Sequence, residues 1–322
     1  MAEETDYVLI IGSSNMDLNI YTKRLPNPGE TVTGGTFKQF LGGKGANQAV
    51  ASVRSGSKTI FIGKIGKDLF GDQMVSRLIN EHVNMNHIFR DTKEPSGVAF
   101  ILIDKNGENM ISVAPGANFN LNPEEIRSKA HIIKKANALV VQMEIPIETI
   151  QEIFKIASEE HVIKILNPAP LKSIPDEVLS KLDIIIPNEG ELYRLHSLLG
   201  FNELVEEGKS KIVHASEDLA TLGINYIITT LGNKGSIIFE KKTNKMYEIG
   251  APKVVAIDTV GAGDCFIGVL ASMLSKGETV PYAVKCATVA ASIAVTRKGA
   301  QESIPYLNEI QKKLKQFNIN QN

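Results

Sequence analysis

The chain of 322 residues has two cysteines, no excess of either charge and no apolar run of membrane length, and each shortage removes a class of function. Cys265 and Cys286 form no Cys-x-x-Cys pair and have no histidine-rich segment beside them, which excludes a disulfide framework and a cysteine zinc site. A reducing cytoplasm is therefore the expected compartment. Lys and Arg total 35 against 36 Asp and Glu, a formal net charge of −1, so nothing draws the chain to a nucleic-acid backbone or an anionic membrane. The longest apolar runs, such as 8–11 and 138–141, fall far short of the roughly 18 residues a membrane helix needs. The acidic start, with Glu3, Glu4 and Asp6 and no basic residue before Lys23, fits neither a secretory nor a transit segment, and none is expected. The chain also lacks a Walker A loop, an HExxH, a GxSxG elbow and an EF-hand loop.

What is present is an α/β pattern. Hydrophobic residues make up 43% of the chain, enough for a substantial core. Short β-rich runs at 8–11, 59–65, 138–142, 162–166, 183–186 and 226–230 alternate with longer amphipathic stretches of helical period. Such near-continuous apolar strands are buried on both faces, which predicts a parallel sheet between helices and ligands at the strands' carboxyl ends. Asn122-Pro123-Glu124-Glu125 combines an N-cap, a first-turn proline and a reciprocal glutamate, and so predicts a helix start. Two regions break the alternation: 18–40 reads as polar strands, and 98–113 as a hairpin around Lys105-Asn106-Gly107. Both read as antiparallel additions to the main sheet, a lid or a dimer contact. No repeat or linker is visible, so one domain spanning 1–322 is expected, with its polar end, 318–322, frayed.

The strongest chemical signal is Asp258-Thr259-Val260-Gly261-Ala262-Gly263-Asp264, which leads into an apolar helical stretch. A glycine-rich loop opening a helix presents backbone N–H groups and the positive end of the helix dipole to an anion. It is not a dinucleotide fingerprint, because Phe266 stands where the third glycine belongs. Asp264, at the mouth of this cradle, is a candidate general base for a hydroxyl attacking a phosphoryl group; the competing role is a plain helix cap. A second cluster, Gly42-Gly43-Lys44-Gly45-Ala46-Asn47-Gln48, adds an ammonium and amides suited to a polyhydroxylated ligand. Asn15-Met16-Asp17 follows the first strand, and Glu144 follows the run 138–142. Asn188 and Glu191 follow 183–186, and Thr230-Leu231-Gly232-Asn233-Lys234-Gly235 follows 226–229. Taken singly, each of these is as compatible with a turn or a helix start as with a ligand contact.

Together, and in this order, these motifs resemble the PfkB carbohydrate-kinase family over nearly the whole chain. The strings Asn15-Met16-Asp17, Gly43-Lys44-Gly45-Ala46-Asn47, Asn167-Pro168-Ala169-Pro170 and Ala294-Val295-Thr296-Arg297-Lys298-Gly299-Ala300-Gln301 resemble its ribose-phosphorylating subgroup. The resemblance implies an α/β three-layer sandwich with a central, mainly parallel sheet and a small β lid. It implies ATP-dependent phosphorylation of D-ribose at the C5 hydroxyl. By resemblance, Asn15, Met16, Asp17, Gly43, Lys44, Gly45, Ala46, Asn47 and Glu144 form the sugar site. Asp264 is the base there, and Gly261, Ala262 and Gly263 are the anion hole. ATP falls to Asn188, Thr230, Leu231, Gly232, Asn233, Lys234, Gly235, Gly263, Asp264 and Thr288. Glu191 would hold Mg²⁺ through water, since magnesium dehydrates reluctantly. K⁺ would sit among Asp258, Ser303 and the carbonyls of Val260, Ala294, Arg297 and Gly299. A homodimer built through the lid strands is also implied. Kinases of the same family acting on deoxyribose, fructose or adenosine remain alternatives, as does a non-catalytic sugar sensor.

Overall fold

The computed structural model describes residues 6–319, with side chains through 317. Most of the acidic start and of the polar end expected to fray thus lies outside the described residues. Eight strands form the main sheet, in the order Lys245–Ile249, Ser236–Glu240, Tyr226–Thr230, Ile184–Ile185, Ile163–Asn167, Ala138–Gln142, Tyr7–Ile11 and Lys58–Ile62. The six from Tyr226–Thr230 to Lys58–Ile62 are parallel, and the first two close the sheet as an antiparallel edge.

Alternation along the strands explains the three layers. Leu9 and Ile11 enter one apolar cluster with Ile150, Leu192 and Leu219, while Val8 and Ile10 enter another with Val50, Leu270, Val284 and Ile310. Because a strand's side chains alternate between faces, helices Ile147–Ala157, Glu189–Leu198 and Gly208–Thr221 cover one face of the sheet. Helices Lys44–Arg54, Ala262–Ser275, Val280–Ala294 and Leu307–Ile319 cover the other. The start predicted at Asn122 is present as a reciprocal capping box with Glu125.

Two expectations need correction. The polar strands and the hairpin do not join the main sheet. They form a separate four-stranded sheet, Thr36–Gly42, Asn15–Tyr21, Gly97–Ile103 and Asn109–Ala114, whose central pair is parallel. The run 59–65 is not one strand: Lys58–Ile62 belongs to the main sheet, whereas Lys64–Gly66 pairs with Phe89–Asp91. Gly63 and Lys64 interrupt the apolar run at the point where the chain changes partner, a mark that the run-length reading passed over. The antiparallel additions to the main sheet are instead Ser236–Glu240 and Lys245–Ile249, the latter masked by its half-exposed, polar-rich edge pattern.

Candidate active site

The site lies beyond the carboxyl ends of the parallel strands, where the free N-termini of helices converge. A cavity of about 210 Å³ is lined by Lys44, Asn167, Ala169, Ile186, Asn188, Glu191, Thr230, Gly261, Gly263, Asp264 and Ile267. Gly261 adopts a left-handed conformation (φ 73°), which turns the chain abruptly into helix Ala262–Ser275, and no side chain caps that helix. The Ala262 amide donates to Thr259 O at 3.3 Å, while Gly261 and Gly263 line the cavity at a helix end that no side chain satisfies.

Asp264 stands in the first turn of this helix but does not cap it. Its carboxylate is buried and reaches across to helix Lys44–Arg54: Oδ2 accepts from Asn47 Nδ2 at 2.9 Å, and Oδ1 from Gln48 Nε2 at 3.0 Å. The cap role weighed for it is thus excluded. Lys44 lines the same cavity, and its ammonium is held above its ordinary pKa chiefly by Asp264, against burial, with help from Glu144 and Glu191.

The start of helix Lys44–Arg54 is fixed from outside. Glu144 Oε2 accepts from the Lys44 amide at 3.1 Å and from the Ser13 hydroxyl, and the Ala46 amide donates to Ser13 O at 2.9 Å. Gly43 has φ 89°, and a Cβ there would lie 2.7 Å from Ser14 Cα, so no other residue fits. Asn15 and Asp17 open a strand of the separate four-stranded sheet rather than a turn. Asn15 Oδ1 accepts from buried Asn118 Nδ2 at 2.8 Å. The Asp17 carboxyl is raised from 3.8 to about 7 by burial and then by the negative charges of Glu144, Asp264 and Glu302. Met16, on the opposite face of that strand, packs with Ile65 and Met74, and Ala46 is likewise a core residue.

Asn188 caps helix Glu189–Leu198 in a reciprocal box: Glu191 N donates to Asn188 Oδ1 and Asn188 N to Glu191 Oε2, both at 2.8 Å. Both side chains nevertheless line the cavity. Leu231 is followed by a single tight turn, Gly232–Lys234, with Gly232, Asn233 and Lys234 exposed and Gly235 closing it by donating to Gly232 O. Thr288 is buried in helix Val280–Ala294, and its hydroxyl has no protein partner.

A second cluster lies behind the glycine loop. Asp258 Oδ1 accepts from Val260 N and Oδ2 from Gly299 N, both at 3.0 Å, and Ala300 packs against Gly261. Arg297 is paired with Glu309, and Ser303 Oγ donates to Ala300 O. Among the described residues no three His, Cys, Asp or Glu side chains gather as a metal site. The side-chain oxygens here are those of Asp258 and Ser303, a donor type that suits a hard cation rather than a transition metal.

Residues 5–307 match the profile of the pfkB family of carbohydrate kinases. The chain belongs to this family. A pfkB carbohydrate kinase places a phosphoryl group on a sugar hydroxyl, and the buried carboxylate beside an uncapped helix N-terminus is consistent with that chemistry. The Staphylococcus aureus ribokinase is 38% identical over 95% of this chain and 99% of its own, and the Salmonella typhi deoxyribokinase 35% over 94% and 96%. The structure of Arabidopsis thaliana ribokinase complexed with ribose and ATP superposes with a TM-score of 0.90 at 30% identity, covering 97% of this chain and 99% of that one. The fold of this pfkB kinase is the layered α/β architecture with a separate small sheet that the resemblance implied.

Reading the sequence motif by motif left out Gln142, Asn118 and Ser13, and quoted Gln48 and Asn167 within their motif strings without giving either a role of its own. Gln142 and Asn167 each end an apolar parallel strand with a carboxamide, a position where ligand-side groups gather, and that signal was available. Asn118 had none, because it acts from a 3₁₀ turn about a hundred residues from the Ser14 and Asn15 it holds.

Proposed function

We propose that the chain is one sugar-kinase domain that transfers the γ-phosphoryl group of ATP to the C5 hydroxyl of D-ribose, giving ribose 5-phosphate and ADP. The observation that carries this reading is Asp264, buried, oriented by two amides and lining one cavity with Lys44 and the open amides at Gly261 and Gly263. A carboxylate so held takes the proton of the attacking hydroxyl, while the helix N-terminus stabilises charge developing on the transferred group. Asn15, Asp17, Lys44 and Asn47 would hold the sugar hydroxyls. Glu144 acts there by fixing the Gly43-Lys44 corner. Met16 and Ala46 support the site from the core, and Gly43 and Gly45 supply backbone.

Nucleotide would enter along Asn188, Glu191 and Thr230, with the exposed turn at Gly232, Asn233 and Lys234 on its path; Thr288 contributes at most a buried wall. Mg²⁺, reached through water from Glu191, would neutralise phosphate charge when bound. K⁺ among Asp258, Ser303 and the carbonyls of Val260, Ala294, Arg297 and Gly299 would stiffen the loop that packs on Gly261. The lid sheet excludes water that would otherwise hydrolyse ATP. Its residues Ile20, Phe37, Phe100 and Met110 share one face, each 37–56% exposed, which supports a homodimer through that sheet.

The 35% identity to a deoxyribokinase favours 2-deoxyribose as the second reading. One assay separates the two: ADP release from ATP–Mg²⁺ with ribose or 2-deoxyribose, in potassium and sodium buffers, with the phosphate position read by NMR. Ribose-dependent release at C5, faster in potassium, is expected. Preference for 2-deoxyribose replaces the substrate, and sugar binding without ADP release with any sugar replaces catalysis by a sensor.

A further inference from the structure

The carboxylate of Asp264 ends a buried chain of carboxamides. Gln142, fully buried at the end of strand Ala138–Gln142, donates through Nε2 to Gln48 Oε1 at 2.7 Å. Gln48, also fully buried, donates through Nε2 to Asp264 Oδ1 at 3.0 Å, with a longer contact of 3.4 Å to Asn167 Oδ1. Direction is built into this chain. An ionised carboxylate only accepts, so Gln48 must turn its NH₂ toward Asp264, and its oxygen then needs a donor. Gln142 is that donor.

Its own Oε1 is left buried with no partner, facing Gly12, where a Cβ would stand 1.9 Å from that oxygen. An orphaned buried acceptor is destabilising, so this glutamine is held there for what its NH₂ group does, which is to satisfy Gln48 Oε1. Leucine would fill the space without that orphan but would strip Gln48 Oε1 of its donor.

We propose that Gln142 and Gln48 are positioning residues for the transfer: Gln142 fixes the amide orientation of Gln48, and Gln48 fixes the rotamer of the Asp264 carboxylate, leaving its remaining lone pairs for the sugar hydroxyl. Gly12 is the space that admits Gln142. This rests on Asp264 being the base, and it extends that assignment to two strand- and helix-borne groups that touch neither sugar nor nucleotide.

The test uses the full chain. Gln48→Met should lower kcat about 10- to 100-fold, the scale of a misplaced reacting group, with the KM for sugar changed less than about threefold. Gln142→Leu should lower kcat by a smaller factor, and Gln48→Met/Gln142→Leu should be no slower than Gln48→Met, because Gln142 acts only through Gln48. Unchanged kcat in Gln48→Met, a KM effect alone, or multiplying losses in the double variant would each overturn the proposal. Thermal melting separates these from misfolding.

A readout without turnover keeps the relay and the kinase reading apart. The side-chain NH₂ signals of Gln48 and Gln142 should be protected from hydrogen exchange in the wild type, and Asp264→Leu should abolish the protection at Gln48. Fast exchange in the wild type overturns the relay whatever the enzyme's activity. Protected signals in a protein that phosphorylates no sugar would overturn the kinase assignment and, with it, the catalytic purpose of the relay.

Discussion

Two glycine-rich loops in this chain open helices toward the same cavity, and they are built in opposite ways. At the start of Lys44–Arg54, the Lys44 amide is given to Glu144, the Ala46 amide to Ser13, and the Gly43 backbone is wedged against Ser14 and Asn15. At the start of Ala262–Ser275, no side chain caps the helix, and a Cβ on Gly263 would meet nothing within 4 Å. The first loop has its polar groups satisfied by the protein and serves as a rigid mount for Lys44, Asn47 and Gln48. The second keeps its helix end open, which suits a group that receives charge only during transfer. Similar glycine strings therefore mark two different physical needs, close backbone approach in one case and access for an anion in the other.

The strongest way to sharpen that contrast is to remove the carboxylate that bridges the two loops. Asp264→Asn keeps the size of the side chain but turns one of its two acceptors into a donor facing Asn47 or Gln48 and cannot take a proton; it should cut kcat by at least about 10²-fold while ribose binding, read by calorimetry, stays. Retained turnover would return Asp264 to a structural role. Next in size is Gly43→Ala. With φ at 89° and backbone atoms 2.7–2.9 Å from the added carbon, it should lower stability by several kcal/mol, on the order of 3 or more, and with it the melting temperature and all activity together. Gly263→Ala should do the reverse. Alanine in a helix is favoured over glycine by about 0.5–1 kcal/mol, so melting should hold or rise, whereas the methyl beside the open amides should slow turnover about tenfold. Equal melting losses in the two variants would erase the distinction between the loops.

The same contrast explains what the sequence made legible. Parallel strands were readable because residues such as Val8, Ile10, Leu139 and Val140 are apolar on both faces, and Asp264 was readable because its glycine loop is contiguous in sequence. The separate small sheet and the edge strand Lys245–Ile249 were not, since each depends on which partner a strand finds rather than on its own pattern; the break at Gly63-Lys64 was written in the run and passed over. Within the site, chemistry carried by a single string was visible. Geometry assembled across the chain was hidden: Glu144 holding an amide a hundred residues away, Gln142 reaching Gln48, Asn118 holding Asn15. Asn188 shows how one local pattern serves both ends, being a helix cap by its hydrogen bonds and a cavity wall by its place.

The smallest expected effect tests the mount loop's sugar side through Asp17. Its carboxyl titrates near 7 because burial and three neighbouring carboxylates disfavour its charge. The folded protein thus holds a proton there between about pH 4 and 7 that the unfolded chain releases, so stability from this group falls across that window and levels off above about 7. A sugar hydroxyl donating to this carboxylate favours the ionised form and lowers its pKa, so binding releases the proton. Ribose affinity should then strengthen with pH up to about 7 and level off above it, by at most about tenfold per pH unit. Calorimetric titrations between pH 5.5 and 8.5 should show this slope in the wild type and its loss in Asp17→Asn. A slope that survives the substitution would show that Asp17 is not the titrating group, and a flat wild-type profile would mean that the sugar makes no hydrogen bond to Asp17.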